Sequence, residues 1–239
     1  MDRQSNAYVF VFAIIVCVAC GVLLSAVSEG LRKQQELNVV LDVKKNILKA
    51  VVLKEAIPAT AVAADVLKIY QEKIQELVID EQGNVLEGRK PSDIKEDEKN
   101  LHPLYVYKEN QQVVSYAFPI VGQGLWSTLY GYLALEGDVT TVRGITFYKH
   151  GETPGLGGEI EKDWFQDNFK GKKIWSIKEN TLKPIAVVKG KVADLYKGEE
   201  ASYYVDGITA ATLTGNGVTE MLDRGVRVYD GYFSKLRKI

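Results

Sequence analysis

The stretch Leu104–His150 reads LYVYKENQQVVSYAFPIVGQGLWSTLYGYLALEGDVTTVRGITFYKH. Four segments within it, Leu104–Asn110, Gln112–Gly122, Leu129–Gly137 and Val142–His150, alternate apolar with polar or small side chains. They are rich in β-branched and aromatic residues, and polar or glycine-bearing turns separate them. That period of two predicts four strands in an antiparallel meander. Helical patterns surround it. Val40, Val43, Ile47 and Val51 form a stripe over Leu31–Leu53, and Pro58 breaks it. Thr60 is placed to cap a second helix that carries Val62, Val66, Ile69, Ile74 and Leu77 on one face. The run LVIDEQGNVLEG (Leu77–Gly88) predicts two short strands about a Gly-Asn turn. Beyond the meander, EIEKDWFQDNF (Glu159–Phe169) predicts an amphipathic helix with Ile160, Trp164, Phe165 and Phe169 on its apolar face. PIAVVKG (Pro184–Gly190) and SYYVDG (Ser202–Gly207) predict strands. GVTEMLDRG (Gly217–Gly225) predicts a short helix capped by Thr214 or Asn216. The fold class is α+β: a helix at the N-terminal end, then an antiparallel sheet with flanking helices.

Tyr8–Val27, YVFVFAIIVCVACGVLLSAV, holds no charge. As a helix, about 20 residues span roughly 30 Å, the thickness of a bilayer core. A cleaved signal peptide has a shorter apolar core and a small-x-small cleavage site, so the run reads as a retained transmembrane anchor. Arg3 flanks one side and Arg32 and Lys33 the other, so charge does not set the orientation. A short tail before a long domain suits a tail-in, domain-out anchor. The chain therefore divides into a cytoplasmic tail (1–7), a transmembrane helix (8–27), a connecting region of helices and short strands (28–100) and a main domain (101–239). Within the connecting region, the charge-dense Glu87–Asn100 reads as a solvated loop or linker.

Composition excludes several functions. The 30 basic and 31 acidic residues of the 239 leave a net charge of −1, without the basic excess of a nucleic-acid binder. Two histidines, His102 and His150, are too few for a histidine-rich metal site. No phosphate-binding G-x-x-x-x-G-K-[ST] loop and no dinucleotide G-x-G-x-x-G after a strand is present. Cys17 and Cys20, the two cysteines, lie three apart in the apolar run. They read as small packing residues on one helix face, or as a contact with a metal or partner inside a membrane complex. The rest of the chain has no thiol chemistry.

One stretch stands apart: DGITAATLTGNGV, Asp206–Val218. Thr212 precedes a predicted helix start, where unpaired N–H groups and the helix dipole favour an anion. From the residues alone Thr212 reads as a cap, and the chain as a membrane-anchored binding or scaffold protein. The stretch, however, resembles the motif D-x-x-[ST]-[GA]-A-[ST]-x-[ST], at which a flavin transferase joins FMN to the later hydroxyl through a phosphodiester. Thr212 matches the attachment residue, Asp206 the leading acid and Thr209 the middle hydroxyl. Ala210 stands where glycine is commoner.

GQGLWSTLYGYLALEGD and GITFYKHGETPGLGGEIEKDWFQDNFKGK are similar to the family of C subunits of the sodium-translocating NADH:quinone oxidoreductase. The resemblance covers the anchor and nearly all of the remaining chain. It implies a flavin-carrying redox subunit with one covalent FMN on Thr212, in a complex with the A, B, D, E and F subunits. That complex passes electrons from NADH toward ubiquinone and exports sodium ions. The subunit is not catalytic alone, binds no NADH itself, and lies in the cell inner membrane with its FMN-binding domain on the periplasmic side. The G subunit of the related Rnf complex is the alternative.

Beside this, Trp126 is a candidate to pack on the flavin ring, or else a core residue. Thr153, Gly155 and Leu156 are candidates to line the ring, or form a plain Pro-Gly turn. Lys189 is a candidate to place positive charge near it, or a solvated strand lysine. Leu213 and Thr214, next to the attachment residue, complete the expected cofactor-binding set. Glu152 and His150 are neighbours left outside it.

Overall fold

The computed structural model describes residues 6–52 and 63–237. The expected break at Pro58, the Thr60 cap, Val62 and Arg3 lie outside them. Helix α1 runs without interruption over Asn6–Val51. Its first half is long and apolar enough to cross a membrane, and its apolar side chains there are exposed. Cys17 and Cys20 lie on this helix, both exposed and unbridged. The chain divides into two units, Met1–Val43 and the compact Lys44–Ile239.

Within the compact unit, α2 (Ala63–Lys73) leads straight into β1 (Ile74–Asp80). The expected helix through Leu77 thus ends four residues early. Ile74, Val78 and Ile79 suit a pleated surface, and β1 finds an antiparallel partner in β2 (Leu101–Glu109), with Ile74 opposite Tyr107 and Asp80 opposite Leu101. Tertiary pairing overrides the helical stripe there. The strands β3 (Gln112–Gln123), β4 (Thr128–Glu136) and β5 (Val142–Lys149) complete a five-stranded sheet in the order β1-β2-β3-β4-β5. The four meander strands stand where the sequence puts them. The expected second strand of the Gly-Asn hairpin reduces to one bridge, Val85 with Ile79. The polar Glu87–Asn100 segment is ordered: Arg89 makes two hydrogen bonds to the Glu98 carboxylate, 2.9 and 2.7 Å long.

Each strand sends alternate residues to two faces. Leu104, Val106, Phe118, Ile120, Leu129, Leu133, Ile145 and Phe147 face the main core. The opposite face carries the small Ala117, Ala134 and Gly144, and the end of α1 closes on it. Arg143 donates from Nε to the Val51 carbonyl, and Gly144 lies under the Ala50 carbonyl. Ile47, Leu48 and Val51 are fully buried in consequence.

The main core is closed by α5, which spans Thr212–Leu236. Val218, Met221, Leu222, Val226, Tyr229 and Phe233 recur at helical spacing and are buried against the sheet. Each such side chain contributes about 1.5–3 kcal/mol of burial. The expected short helix Gly217–Gly225 is thus only the middle of a 25-residue one, and its N-cap is Ala211, not Thr214 or Asn216. The expected helix Glu159–Phe169 also differs. It is a 3-10 turn over Gly157–Glu161, then extended backbone at Lys162, then the short helix α3 (Asp163–Asp167). Two-residue strands follow: β6 (Trp175–Ser176) pairs with β7 (Thr181–Leu182) antiparallel. Then β8 (Ala186–Val187) pairs with β9 (Tyr204–Val205) in parallel, across the short helix α4 (Val192–Leu195). These two expected strands are present but only two residues long. Their pairing sets the Lys189 turn beside the segment that enters α5.

Candidate functional site

The entry to α5 is built from the loop Asp206–Ala211. Asp206 accepts from the Val192 backbone N–H at 2.8 Å and from Lys191 Nζ at 2.9 Å, which ties the loop to the start of α4. Burial acts to raise the Asp206 carboxyl, but the Lys191 and Val192 hydrogen bonds outweigh it and hold the group below its usual range. The Gly207 N–H donates to the Gly190 carbonyl at 2.9 Å. Ala210 then takes a left-handed conformation, φ 60°. This explains the preference for glycine at that place in the motif: the region is costly for any side chain. Thr212 follows as the first residue of α5, and it is exposed. Ala211 supplies no side-chain cap, so the N–H groups of the first turn have no acceptor from the helix itself. Thr212 itself is therefore not a cap.

A cleft of about 640 Å³ opens over this loop. Gly155, Glu159, Trp164, Lys189, Gly190, Lys191, Gly207, Ile208, Thr209, Ala210 and Thr212 line it. It brings together four expected residues: Gly155, Lys189, Thr209 and Thr212. Lys189 is exposed and has no ion pair or hydrogen bond among the described residues. Gly155 has φ 74°, which lets the ETPGLG turn close with the Thr153 carbonyl accepting from Leu156 and Gly158. Trp164 is a lining residue outside the expected set. Placed by its spacing on an apolar helix face, it instead turns outward after the break at Lys162, and its Nε1 donates to Glu159 Oε2 at 3.0 Å.

The remaining expected residues do not line the cleft. Asp206 lies behind the loop. Trp126 is 70% exposed, which rules out the core-packing alternative, and Leu213 is 60% exposed. Leu156 is also exposed, and so is Thr153. Thr214 is the opposite case, only 1% exposed. Its hydroxyl donates to Glu152 Oε2 at 2.7 Å.

Glu152 is the second residue outside the expected set, although the glycines around it carry a signal. It is 5% exposed and accepts from the backbone N–H groups of Leu125 (3.2 Å), Trp126 (2.9 Å) and Ser127 (3.1 Å). Burial pushes its carboxyl up, yet the bonds from Thr214, Trp126, Leu125 and Ser127 prevail and hold it below the usual range. Gly157 leaves the space this arrangement needs: a Cβ there would stand 2.4 Å from Thr214 Oγ1 and 2.8 Å from Glu152 Oε2. His150 backs the same turn, accepting at Nδ1 from the Glu152 N–H at 3.2 Å. Its Nε2 lies 3.3 Å from Glu161 Oε2, without the alignment of a hydrogen bond.

The donor set fits an anionic aromatic group. It offers an exposed hydroxyl, free first-turn N–H groups, an unpaired ammonium and exposed apolar side chains on three neighbouring segments. Comparisons with known proteins agree. Residues 124–227 match the model of the FMN-binding domain. The chain is similar to the C subunit of the Na(+)-translocating NADH-quinone reductase of Vibrio alginolyticus, 33% identical over 92% of this chain and 91% of that one. The Pseudomonas aeruginosa protein of the same name is 29% identical over 99% and 98%. The crystal structure of the corresponding Parabacteroides distasonis protein superposes with a TM-score of 0.72 at 32% identity, over 85% of this chain and 97% of that one.

Proposed function

Because the chain belongs to the family of C subunits of the Na(+)-translocating NADH-quinone reductase, we propose that it is the FMN-carrying subunit of such a complex, with FMN joined by a phosphodiester to Thr212 Oγ. The observation that carries this reading is the exposed Thr212 hydroxyl at the uncapped start of α5, in a cleft with the unpaired Lys189. A phosphate on that oxygen would be favoured by the first-turn N–H groups and the positive end of the helix dipole. Lys189 adds positive charge beside it. Asp206 holds the loop, and Trp126, Leu156 and Leu213 offer apolar surface to the ring.

When bound, the flavin supplies electron acceptance and release; the chain's residues anchor it and orient it. The tether keeps the cofactor in place without a separate phosphate-binding loop. We place the subunit in the inner membrane through α1, with its FMN-binding domain on the periplasmic side. There it relays electrons from NADH toward ubiquinone in step with sodium export, beside the A, B, D, E and F subunits, after maturation by a flavin transferase. The reading as the G subunit of an Rnf complex has less support, since the relatives named above are C subunits of the sodium-translocating reductase.

The test is the mass of the peptide containing Thr212, taken from protein in its own membrane. We expect it heavier by one FMN less one water, and a fluorescent band in a denaturing gel under ultraviolet light. Thr212→Ala should lose both signals and still fold. An unmodified peptide from cells that make the transferase sinks the assignment and leaves a scaffold role.

A further inference from the structure

We propose that Glu152 is the positioning residue of the cofactor site: its buried carboxylate locks three separate segments together, so that the tethered ring is held in one orientation. The proposal rests on the flavin reading above and adds a residue that lines no part of the cleft.

The carboxylate is filled on both oxygens. Oε1 accepts from Trp126 N, Ser127 N and, at 3.4 Å, Ser127 Oγ; Oε2 accepts from Leu125 N and Thr214 Oγ1. These donors come from the turn before β4 and from the first turn of α5, while Glu152 itself opens the ETPGLG turn. Each of the three segments bears large apolar side chains that stay exposed: Leu125 and Trp126, Leu156, and Leu213. One carboxylate thus fixes the three segments that carry this exposed apolar surface. The sequence also clears room for the carboxylate from two sides. A Cβ on Gly124 would fall 2.6 Å from Oε1, and one on Gly157 would fall 2.8 Å from Oε2. A charged acceptor is required there. Glutamine would turn an NH2 group toward N–H donors on one side and leave them unpaired.

The experiment uses the full chain, co-produced with a flavin transferase and purified in detergent. Wild type, Glu152→Gln and Thr214→Val are compared by the mass of the Thr212 peptide, by thermal melting, and by the visible circular dichroism and emission of the bound flavin below the melting point. In Glu152→Gln the peptide should still carry FMN; Thr214 is also the last hydroxyl of the attachment motif, so for Thr214→Val the signals are read per flavin found on the Thr212 peptide. The visible dichroism should fall by about half or more, and flavin emission should rise about twofold, as a freed ring leaves the quenching indole of Trp126. Thr214→Val keeps the carboxylate and removes one donor, so it carries the test where Glu152→Gln does not fold. Lowered melting with wild-type dichroism and emission per flavin would mean a purely structural role and would overturn the proposal alone. A wild-type chain without FMN at Thr212 overturns this proposal together with the reading beneath it.

Discussion

At Ala210, φ is 60°, in the left-handed region that costs an L-residue about 1–2 kcal/mol. The motif accepts this strain because the loop must reverse sharply between the Asp206 bonds and the first turn of α5. Ala210→Gly removes the steric cost and adds unfolded-state entropy of about 0.4–1 kcal/mol, so a net gain of about 0.5 kcal/mol is expected in denaturant unfolding. A loss would show that the alanine methyl makes a contact worth more than its strain. The two hydrogen-bonded acids of the site, buried Glu152 and half-buried Asp206, make a second prediction. Glu152 and Asp206 both titrate below their usual range in the folded chain. Each therefore contributes stability that is present above the unfolded value, about 4, and lost as pH falls through the lower folded one. Melting temperature should hold level from pH 7 to about pH 5 and drop below about pH 4. Glu152→Gln should flatten that acid limb in a melting series across pH.

Helix α5 shows how an element can be half legible. Its buried residues from Val218 to Phe233 keep helical spacing, yet glycines at 215, 217, 225 and 231 read as breaks in the sequence. In the structure they are contact points. A Cβ on Gly217 would stand 2.2 Å from the Gln123 carbonyl, so the helix lies against the end of β3. Gly217→Ala gains helix propensity of about 1 kcal/mol but forces backbone apart. A net loss of about 1–3 kcal/mol is expected in equilibrium unfolding, as for other overpacked contacts. It should also loosen the Gly124–Ser127 turn, seen as faster amide exchange at Trp126. The strands are easier to read than this helix, because β-branched and aromatic residues alternate with polar or small ones along β2 to β5. The site is legible where a motif marks it, at Thr209 and Thr212, and where residue type suggests a role, at Gly155 and Lys189. Thr212, Thr209 and Lys189 fall in the cleft, whereas Glu152 and Trp164 depend on long-range packing. A buried carboxylate between two glycines leaves a trace in a sequence, but its partners lie 25 to 62 residues away.

Over the whole molecule, the junction between the apolar helix and the compact unit decides what can be separated. The compact unit begins at Lys44, inside α1, and takes in the segment 44–100 that by sequence pattern is a connecting region. Its contribution is material: β1 is an edge of the sheet, and the last two turns of α1 cover the face of Ala117, Ala134 and Gly144. Ile47, Leu48 and Val51 are each 0% exposed there. Burying three such side chains contributes about 5 kcal/mol or more, comparable with the whole stability of an ordinary domain. A chain beginning at Lys44 should therefore be water-soluble and fold with a cooperative transition. A chain beginning at residue 63 should lose about that stability, bind a hydrophobic dye and aggregate, because the small-residue face is left bare and Arg143 loses its acceptor on Val51. Denaturant unfolding of the two truncations side by side decides the matter. Equal midpoints would mean that the helix end only rests on the sheet, and that the FMN-binding domain is complete without it.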